Sequence, residues 1–287
     1  MIKLIAIDLD GTLLNDETTI SERNIAAIKR AIEQGIEIVV ATGRANFDAT
    51  MFFKEIGLSP WIISTNGATI HRPDGRLYQS IPLDKQQAID MLIQLEKDQF
   101  YYEVFIENRI CAPKYGEKTL FDELEKGIFT KNETALFRRG IEIQFGQSGF
   151  SFISSCEELM DSDIDIYNIL AISYIEEKLR DGWKKFNKLP NLTVVQSGNY
   201  NFHLQHKEAS KGNALRLLTA ELGIDLAQTA AIGDNHNDIS MLQIAGKSAA
   251  MGHADNVVKE VCDVVTSTHN EDGVAQFIES ILNENLI

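Results

Sequence analysis

Short aliphatic runs alternate with helix-length amphipathic segments twice along this chain, and polar residues gather where the runs stop. The first run is Leu4-Ile5-Ala6-Ile7, ending in Asp8-Leu9-Asp10-Gly11-Thr12. Ser21 is placed to cap a helix with Ile25, Ile28 and Ile32 on one face, and Gly35 to end it. A second run, residues 36–41, leads to Thr42-Gly43-Arg44; a helix holding Phe47, Met51 and Phe52 follows, and Trp61-Ile62-Ile63-Ser64 ends in Asn66-Gly67-Ala68. This βαβαβ order is that of a parallel sheet. Ligands of such sheets bind beyond the carboxyl ends of the strands, so Asp8, Thr42 and Asn66 are expected at one edge.

The alternation resumes at Ser210, with a helix carrying Leu215, Leu218 and Leu222, then Thr229-Ala230-Ala231-Ile232-Gly233 leading to Asp234. A short helix, the run Ser248 to Gly252, another helix, Val264-Val265-Thr266 and a closing helix from Asp272 to Leu282 complete it. The segment between differs: aromatic-rich strand candidates such as Tyr101 to Ile106, acidic helices, strand candidates at 164–172, 192–196 and 201–205, a helix at 175–186, and a Gly198-Asn199 turn. The expected architecture is an α/β, Rossmann-like parallel-sheet core, discontinuous over residues 1–82 and 209–287. Residues 83–208 form an inserted α+β cap domain, placed above the sheet's ligand edge. Tyr101, Tyr102, Phe105 and Tyr167 fit either a pocket lining or the core of the insert, and core filling is favoured for aromatics on strands.

Residues i and i+2 of a strand face the same way, so Asp8 and Asp10 can converge on one substrate atom. One can attack while the other moves the proton, the division of labour that covalent phosphate-ester cleavage needs. The stretch also fits a strand-ending Asx turn. Beyond the residues themselves, Asp8-Leu9-Asp10-Gly11-Thr12 resembles the phosphatase signature of the haloacid dehalogenase superfamily. In that family the acid two residues after the nucleophile marks enzymes of phosphate esters, a role the resemblance gives to Asp10.

The other strand ends supply matching parts. The Thr42 hydroxyl and Gly43 amide are suited to donate to a phosphate, as in the family's second motif. Arg44 fits either a phosphate partner or a bridge to an acid. Lys211 opens a helix, where a cation opposes the helix dipole; an anion held there would account for it, and the family's third motif is a Lys-Gly at such a position. Lys207 is the competing candidate. Gly233-Asp234-Asn235-His236-Asn237-Asp238 brings two more acids to a strand end. Crowded carboxylates call for a divalent cation, and oxygen donors suit Mg²⁺. The resemblance implies Asp8, Asp234 and the Asp10 carbonyl as its ligands, with Asn237 and Asp238 orienting phosphate, water or Lys211; Asp238 also fits a helix cap. Met251-Gly252-His253-Ala254 departs from the family's Gly-Asn-Ala, and His253 is expected to tune the rim of the site. No zinc-ligand spacing is present among the histidines.

Charge narrows the partners. A net charge of −15 argues against nucleic acid, whose binding needs a basic surface, so an anionic substrate must find positive potential built locally. No window is apolar enough to span a bilayer. Met1-Ile2-Lys3-Leu4 runs straight into the motif strand, so a cytoplasmic location without a signal peptide is expected. Cys111, Cys156 and Cys262 are expected as free thiols.

The resemblance covers essentially the whole chain and points to the Cof-type branch with a large cap. It implies a Mg²⁺-dependent phosphatase of small phosphorylated metabolites, acting through an aspartyl-phosphate on Asp8. Sugar phosphates come first; flavin mononucleotide, a flavin precursor or pyridoxal phosphate comes second. A sugar-phosphate mutase shares the same motifs, and a non-catalytic phosphate sensor is the alternative from outside enzymology. Oligomeric state is not readable.

Overall fold

The first strand is made of four aliphatic residues, all buried, because its sheet is covered on both faces. In the computed structural model, which describes residues 1–146, 149–160, 163–196 and 199–285, that strand is β1 (Leu4–Ile7). It is followed by α1 (Glu22–Glu33), β2 (Glu37–Ala41), α2 (Asn46–Glu55), β3 (Trp61–Ser64), β4 (Thr69–His71) and β5 (Leu77–Ser80). Then come α3 (Lys85–Lys97), β6 (Tyr101–Ile106), β7 (Arg109–Pro113), α4 (Gly116–Lys126), α5 (Lys131–Gly146), β8 (Phe150–Ile153), β9 (Asn168–Ile172), α6 (Glu176–Phe186), β10 (Leu192–Val195) and β11 (Asn201–His206). The chain returns through α7 (Lys211–Leu222), β12 (Thr229–Gly233), α8 (Ile239–Leu242), β13 (Lys247–Ala250), α9 (Asn256–Lys259), β14 (Val264–Val265) and α10 (Gly273–Asn285).

Contacts divide the chain into two units, Met1–Ser80 with Ala209–Ile287, and Ile81–Glu208. The first boundary follows the end of β5, two residues before the position expected from sequence. In the discontinuous unit the sheet order is β14-β13-β12-β1-β2-β3-β4-β5. The strands from β14 to β3 are parallel, while β4 and β5 add an antiparallel hairpin at one edge. β1 is central, with β12 on one side and β2 on the other, so the chain leaves it at the point where the strand order reverses. An α/β core interrupted by a separate α+β domain is therefore the fold.

Side-chain detail departs from the periodicity in two helices. Ser21 caps α1, its side chain accepting from the Asn24 amide, but the buried stripe is Asn24, Ala27, Ile28 and Ala31, while Ile32 is 44 % exposed. Asn24 is drawn inward because its side-chain oxygen accepts the Ala275 amide at 2.9 Å, satisfying a free donor at the start of α10. In α2 the buried residues are Ala49 and Phe53, whereas Met51 faces outward. The β4–β5 hairpin was not expected at all, since three- and four-residue strands carry almost no period-2 signal.

The inserted unit is built on a sheet of order β10-β11-β9-β6-β7-β8, antiparallel except between β7 and β8. Alternation along β6 sends Tyr102 and Val104 into a core shared with α3 and α6 residues such as Leu92 and Phe186. Tyr101 goes to the other core, with Leu120, Leu124 and Ile141. Tyr101, Tyr102, Phe105 and Tyr167 are all buried, as core aromatics should be. The strand expected at 164–172 is confined to Asn168–Ile172, and Gly198 of the expected turn lies outside the described residues. Cys111, Cys156 and Cys262 are free. Among the described residues no helix is long and apolar enough to cross a membrane.

Glu103 of β6 is wholly buried; Oε1 accepts from the Tyr101 hydroxyl at 2.7 Å and from Gln144 Nε2 at 2.8 Å, and Oε2 has no partner among the described residues. Burial outweighs both hydrogen bonds and pushes its pKa up to about 7 from 4.5. Between those values the folded chain holds a proton that the unfolded chain has released, so stability falls as pH rises through that window. Urea titrations at about pH 5 and about pH 8 should show the wild type losing about 2–3 kcal/mol more than Glu103→Gln. Parallel curves for the two proteins would show that Glu103 is ionised throughout.

Candidate active site

The site is assembled where β1, β2, β3 and β12 end. Asp8, 5 % exposed, extends the ladder by one residue through its amide, which donates to Ile232 O at 3.0 Å. Gly11 has φ +75°, and a Cβ there would lie 2.6 Å from Asp234 Oδ2. Glycine thus lets the loop after β1 close over the loop after β12. Thr12, in the first motif but given no role from sequence, donates from Oγ1 to Asp234 Oδ1 at 3.1 Å.

Lys211 is the first residue of α7, whose cap is Ser210, with the serine oxygen accepting the Asn213 amide. Its ammonium is fully buried and donates to Asp8 Oδ1 at 2.6 Å and to Asp238 Oδ1 at 2.5 Å. The two carboxylates, with Asp238 the stronger, overcome the effect of burial and raise the lysine's pKa, so it stays charged. Its unfavourable place in the helix dipole is thereby explained by two acids. Lys207, the competing candidate, is exposed and belongs to the inserted unit.

Asp238 is completely buried and also accepts, through Oδ2, the amides of Asp234 and Asn235 at 3.1 and 3.0 Å. The expected helix cap is not made: the Asp238 side chain bonds no amide of α8, and Oδ2 instead closes a capping box back to Asn235 while Oδ1 holds Lys211. Asp8, Asp234 and Asp238 present carboxylate oxygens within 4.8 Å of one another. Burial first, then repulsion from Asp238, raises the pKa of Asp8 well above its ordinary value and raises that of Asp234 as well. One ammonium among three such acids leaves net negative charge in a desolvated place.

Thr42 is buried, and its hydroxyl oxygen accepts the Arg44 amide at 3.1 Å, leaving the hydroxyl proton as a donor. Arg44 takes the second of its two expected roles. Its guanidinium holds both oxygens of Asp10, Nε to Oδ2 at 2.8 Å and Nη2 to Oδ1 at 2.7 Å, and bonds Asp48 Oδ2 at 2.7 Å. The Asp10 carboxylate is thus clamped by Arg44 and is not a member of the three-acid cluster. Asn237 Nδ2 donates to Asn66 Oδ1 at 3.0 Å, whereas the Lys211 ammonium donates to Asp8 and Asp238. His253 Nε2 lies 3.7 Å from Asp234 Oδ2, with its ring edge-on to His269. His236 is exposed, 3.8 Å from Asp255. Thr12, given no role from sequence, touches this machinery through Asp234; Asn66, expected at this edge but given no partner, meets Asn237, and His253 lies beside Asp234.

A family model described as haloacid dehalogenase-like hydrolase matches residues 5–278. The phosphatase YwpJ of Bacillus subtilis is 46 % identical over 284 residues, covering 98 % of this chain and 100 % of that protein. The 5-amino-6-(5-phospho-D-ribitylamino)uracil phosphatase YwtE of the same organism is 35 % identical, with 98 % of each chain covered. A solved haloacid dehalogenase-like hydrolase from B. subtilis superposes with a TM-score of 0.86 at 45 % identity, covering 97 % of this chain and 99 % of the other.

Proposed function

The chain belongs to the haloacid dehalogenase-like hydrolases and is a phosphatase of their Cof type, and from that premise we propose that it hydrolyses small phosphorylated metabolites through a phosphoryl group carried on Asp8. The buried Asp8–Lys211–Asp238 arrangement carries this reading. An aspartate fixed at a strand end, with a permanent cation on one oxygen, is positioned to attack and is kept from wandering.

Asp8 attacks phosphorus as the bond from phosphorus to the leaving oxygen breaks, and Asp10 gives that oxygen its proton. Asp10 then takes a proton from water, which attacks phosphorus, releasing orthophosphate and free Asp8. Lys211, the Thr42 hydroxyl and the Gly43 amide hold the phosphoryl oxygens. Arg44 occupies both carboxylate oxygens of Asp10, so the acid step requires the guanidinium to release one of them once substrate is bound. Asn237 orients the phosphate and Asp238 fixes Lys211.

The donor set fits a divalent cation, since three acids share one lysine and every donor is a hard oxygen. Asp238 has both oxygens committed to Lys211 and to main-chain amides. The carboxylates of Asp8 and Asp234 are then the ones that would hold Mg²⁺, with the Asp10 carbonyl added as the family resemblance implies. Bound there, Mg²⁺ supplies neutralisation of the charge on the phosphoryl oxygens. EDTA treatment should remove turnover of p-nitrophenyl phosphate and added Mg²⁺ should restore it; full activity in EDTA would exclude the metal from the reaction.

Sugar phosphates remain the first substrate class. The relative that acts on a phosphoribitylamino uracil supports the flavin precursor as the second, ahead of pyridoxal phosphate. Both leading classes present a phosphate ester on a polyhydroxylated carbon chain, and the inserted domain is the part that selects among them. Specificity constants over a phosphomonoester panel with Mg²⁺ test this; phosphate found on a second hydroxyl of a hexose phosphate would mark a mutase, and phosphate binding without turnover a sensor.

A further inference from the structure

Three consecutive residues after β3 have positive φ: Thr65 at 52°, Asn66 at 54° and Gly67 at 93°. Glycine adopts this region freely and asparagine tolerates it, but a β-branched threonine there is an outlier that its surroundings must enforce. Those surroundings are the motif loops themselves. The Thr65 amide donates to Arg44 O at 2.8 Å, and the Asn66 amide donates to Thr42 O at 3.0 Å. Gly67 lies against the start of α7, where a Cβ would fall 2.2 Å from Ser210 O and 2.9 Å from the Lys211 nitrogen.

The Asn66 side chain completes the arrangement. It is 2 % exposed, and Oδ1 accepts Asn237 Nδ2 at 3.0 Å. The missing side chain of Gly43 makes room for it, since a Cβ there would be 3.1 Å from Asn66 Oδ1. Asn66 Nδ2 and Asn237 Oδ1 are buried with no partner among the described residues. Unpaired buried amide atoms are unfavourable. If residue 66 served only to turn the chain, glycine would do it without strain and without burying an amide.

We propose that Asn66 is a positioning residue of the phosphate site: its side chain sets Asn237, and its strained turn sets the Thr42–Arg44 loop and the start of α7 in one register. The inference rests on the phosphatase reading, and it adds a fourth strand end to the three that carry motif residues. The Asn66 side chain acts through Asn237, while the main chain of the turn holds Thr42 and the start of α7, so removal of the amide should lower phosphate affinity and turnover together while the protein stays folded.

Asn66→Gly is the decisive variant, because glycine keeps the backbone conformation and removes only the amide. With p-nitrophenyl phosphate and Mg²⁺, kcat/KM should fall on the order of 10- to 100-fold, the usual effect of small misplacement at a reacting centre. The inhibition constant of orthophosphate should rise by a similar factor, and the melting temperature should move little. Asn237→Ala should show the same pair of changes, and the double variant should be no worse than the poorer single one, because both act through one hydrogen bond. Wild-type kcat/KM and orthophosphate inhibition in Asn66→Gly would overturn the proposal, as would losses that multiply in the double variant. Asp8→Asn measured alongside separates the two levels of the account. If it is inactive while Asn66→Gly is unimpaired, only the positioning role falls; if it is active, the phosphatase reading falls and takes this inference with it.

Discussion

Asp8→Asn should reduce kcat/KM for p-nitrophenyl phosphate with Mg²⁺ on the order of 10⁴-fold or more, the scale seen when a covalent nucleophile is removed. The substitution is nearly isosteric, and its retained Oδ1 can still accept from Lys211, as Asp8 does now at 2.6 Å. The fold should therefore survive. It should be no less stable, because the change removes one charge from a buried trio whose mutual repulsion, together with burial, raises the pKa of Asp8. Stability kept or raised while turnover collapses is characteristic of a functional acid held at the expense of the fold. A variant as unstable as it is inactive would instead make Asp8 a structural partner of Lys211.

Lys211→Met should fail in both respects. The ammonium is the shared partner of Asp8 and Asp238, both buried, and its removal strands them without a counter-charge. Breaking such a pair from one side costs roughly 3–5 kcal/mol. Turnover should fall on the order of 10²- to 10³-fold from the lost electrostatic support of the phosphoryl group. The stability deficit has a pH signature: it should narrow as pH falls, because protonation of Asp8 removes a charge that Lys211 no longer balances. Unfolding by urea at several pH values, with wild type alongside, measures this. A deficit that stays constant across pH would assign the loss to packing of the lysine stem instead.

Much of this site is legible in the sequence because its parts stand at strand ends, and strand ends in a parallel sheet share an edge. Asp8, Thr42 and Asp234 follow aliphatic runs whose length and composition identify them as buried strands. Lys211 is legible as a misfit, a cation where the helix dipole disfavours one. What sequence does not carry is the choice among partners. Arg44 had two acceptable uses, and only the approach of Asp10 and Asp48 shows that it bridges acids. Asn66 is legible as a strand-end residue at the ligand edge but not as the partner of Asn237, since that bond spans 171 positions. The buried face of α1 departs from its apolar spacing for a related reason. Asn24 turns inward to meet a helix at the far end of the chain, a long-range demand that local periodicity does not register.

The central claim is that the phosphoryl group passes through Asp8. It is tested most directly by rapid acid quench of the enzyme with ³²P-labelled phosphomonoester and Mg²⁺, followed by peptide mapping. The account predicts hydroxylamine-labile label on the peptide containing Asp8, increased in Asp10→Ala and absent in Asp8→Asn. Steady turnover with no protein-bound label at any quench time in either the wild type or Asp10→Ala, or label on a different residue, would contradict it.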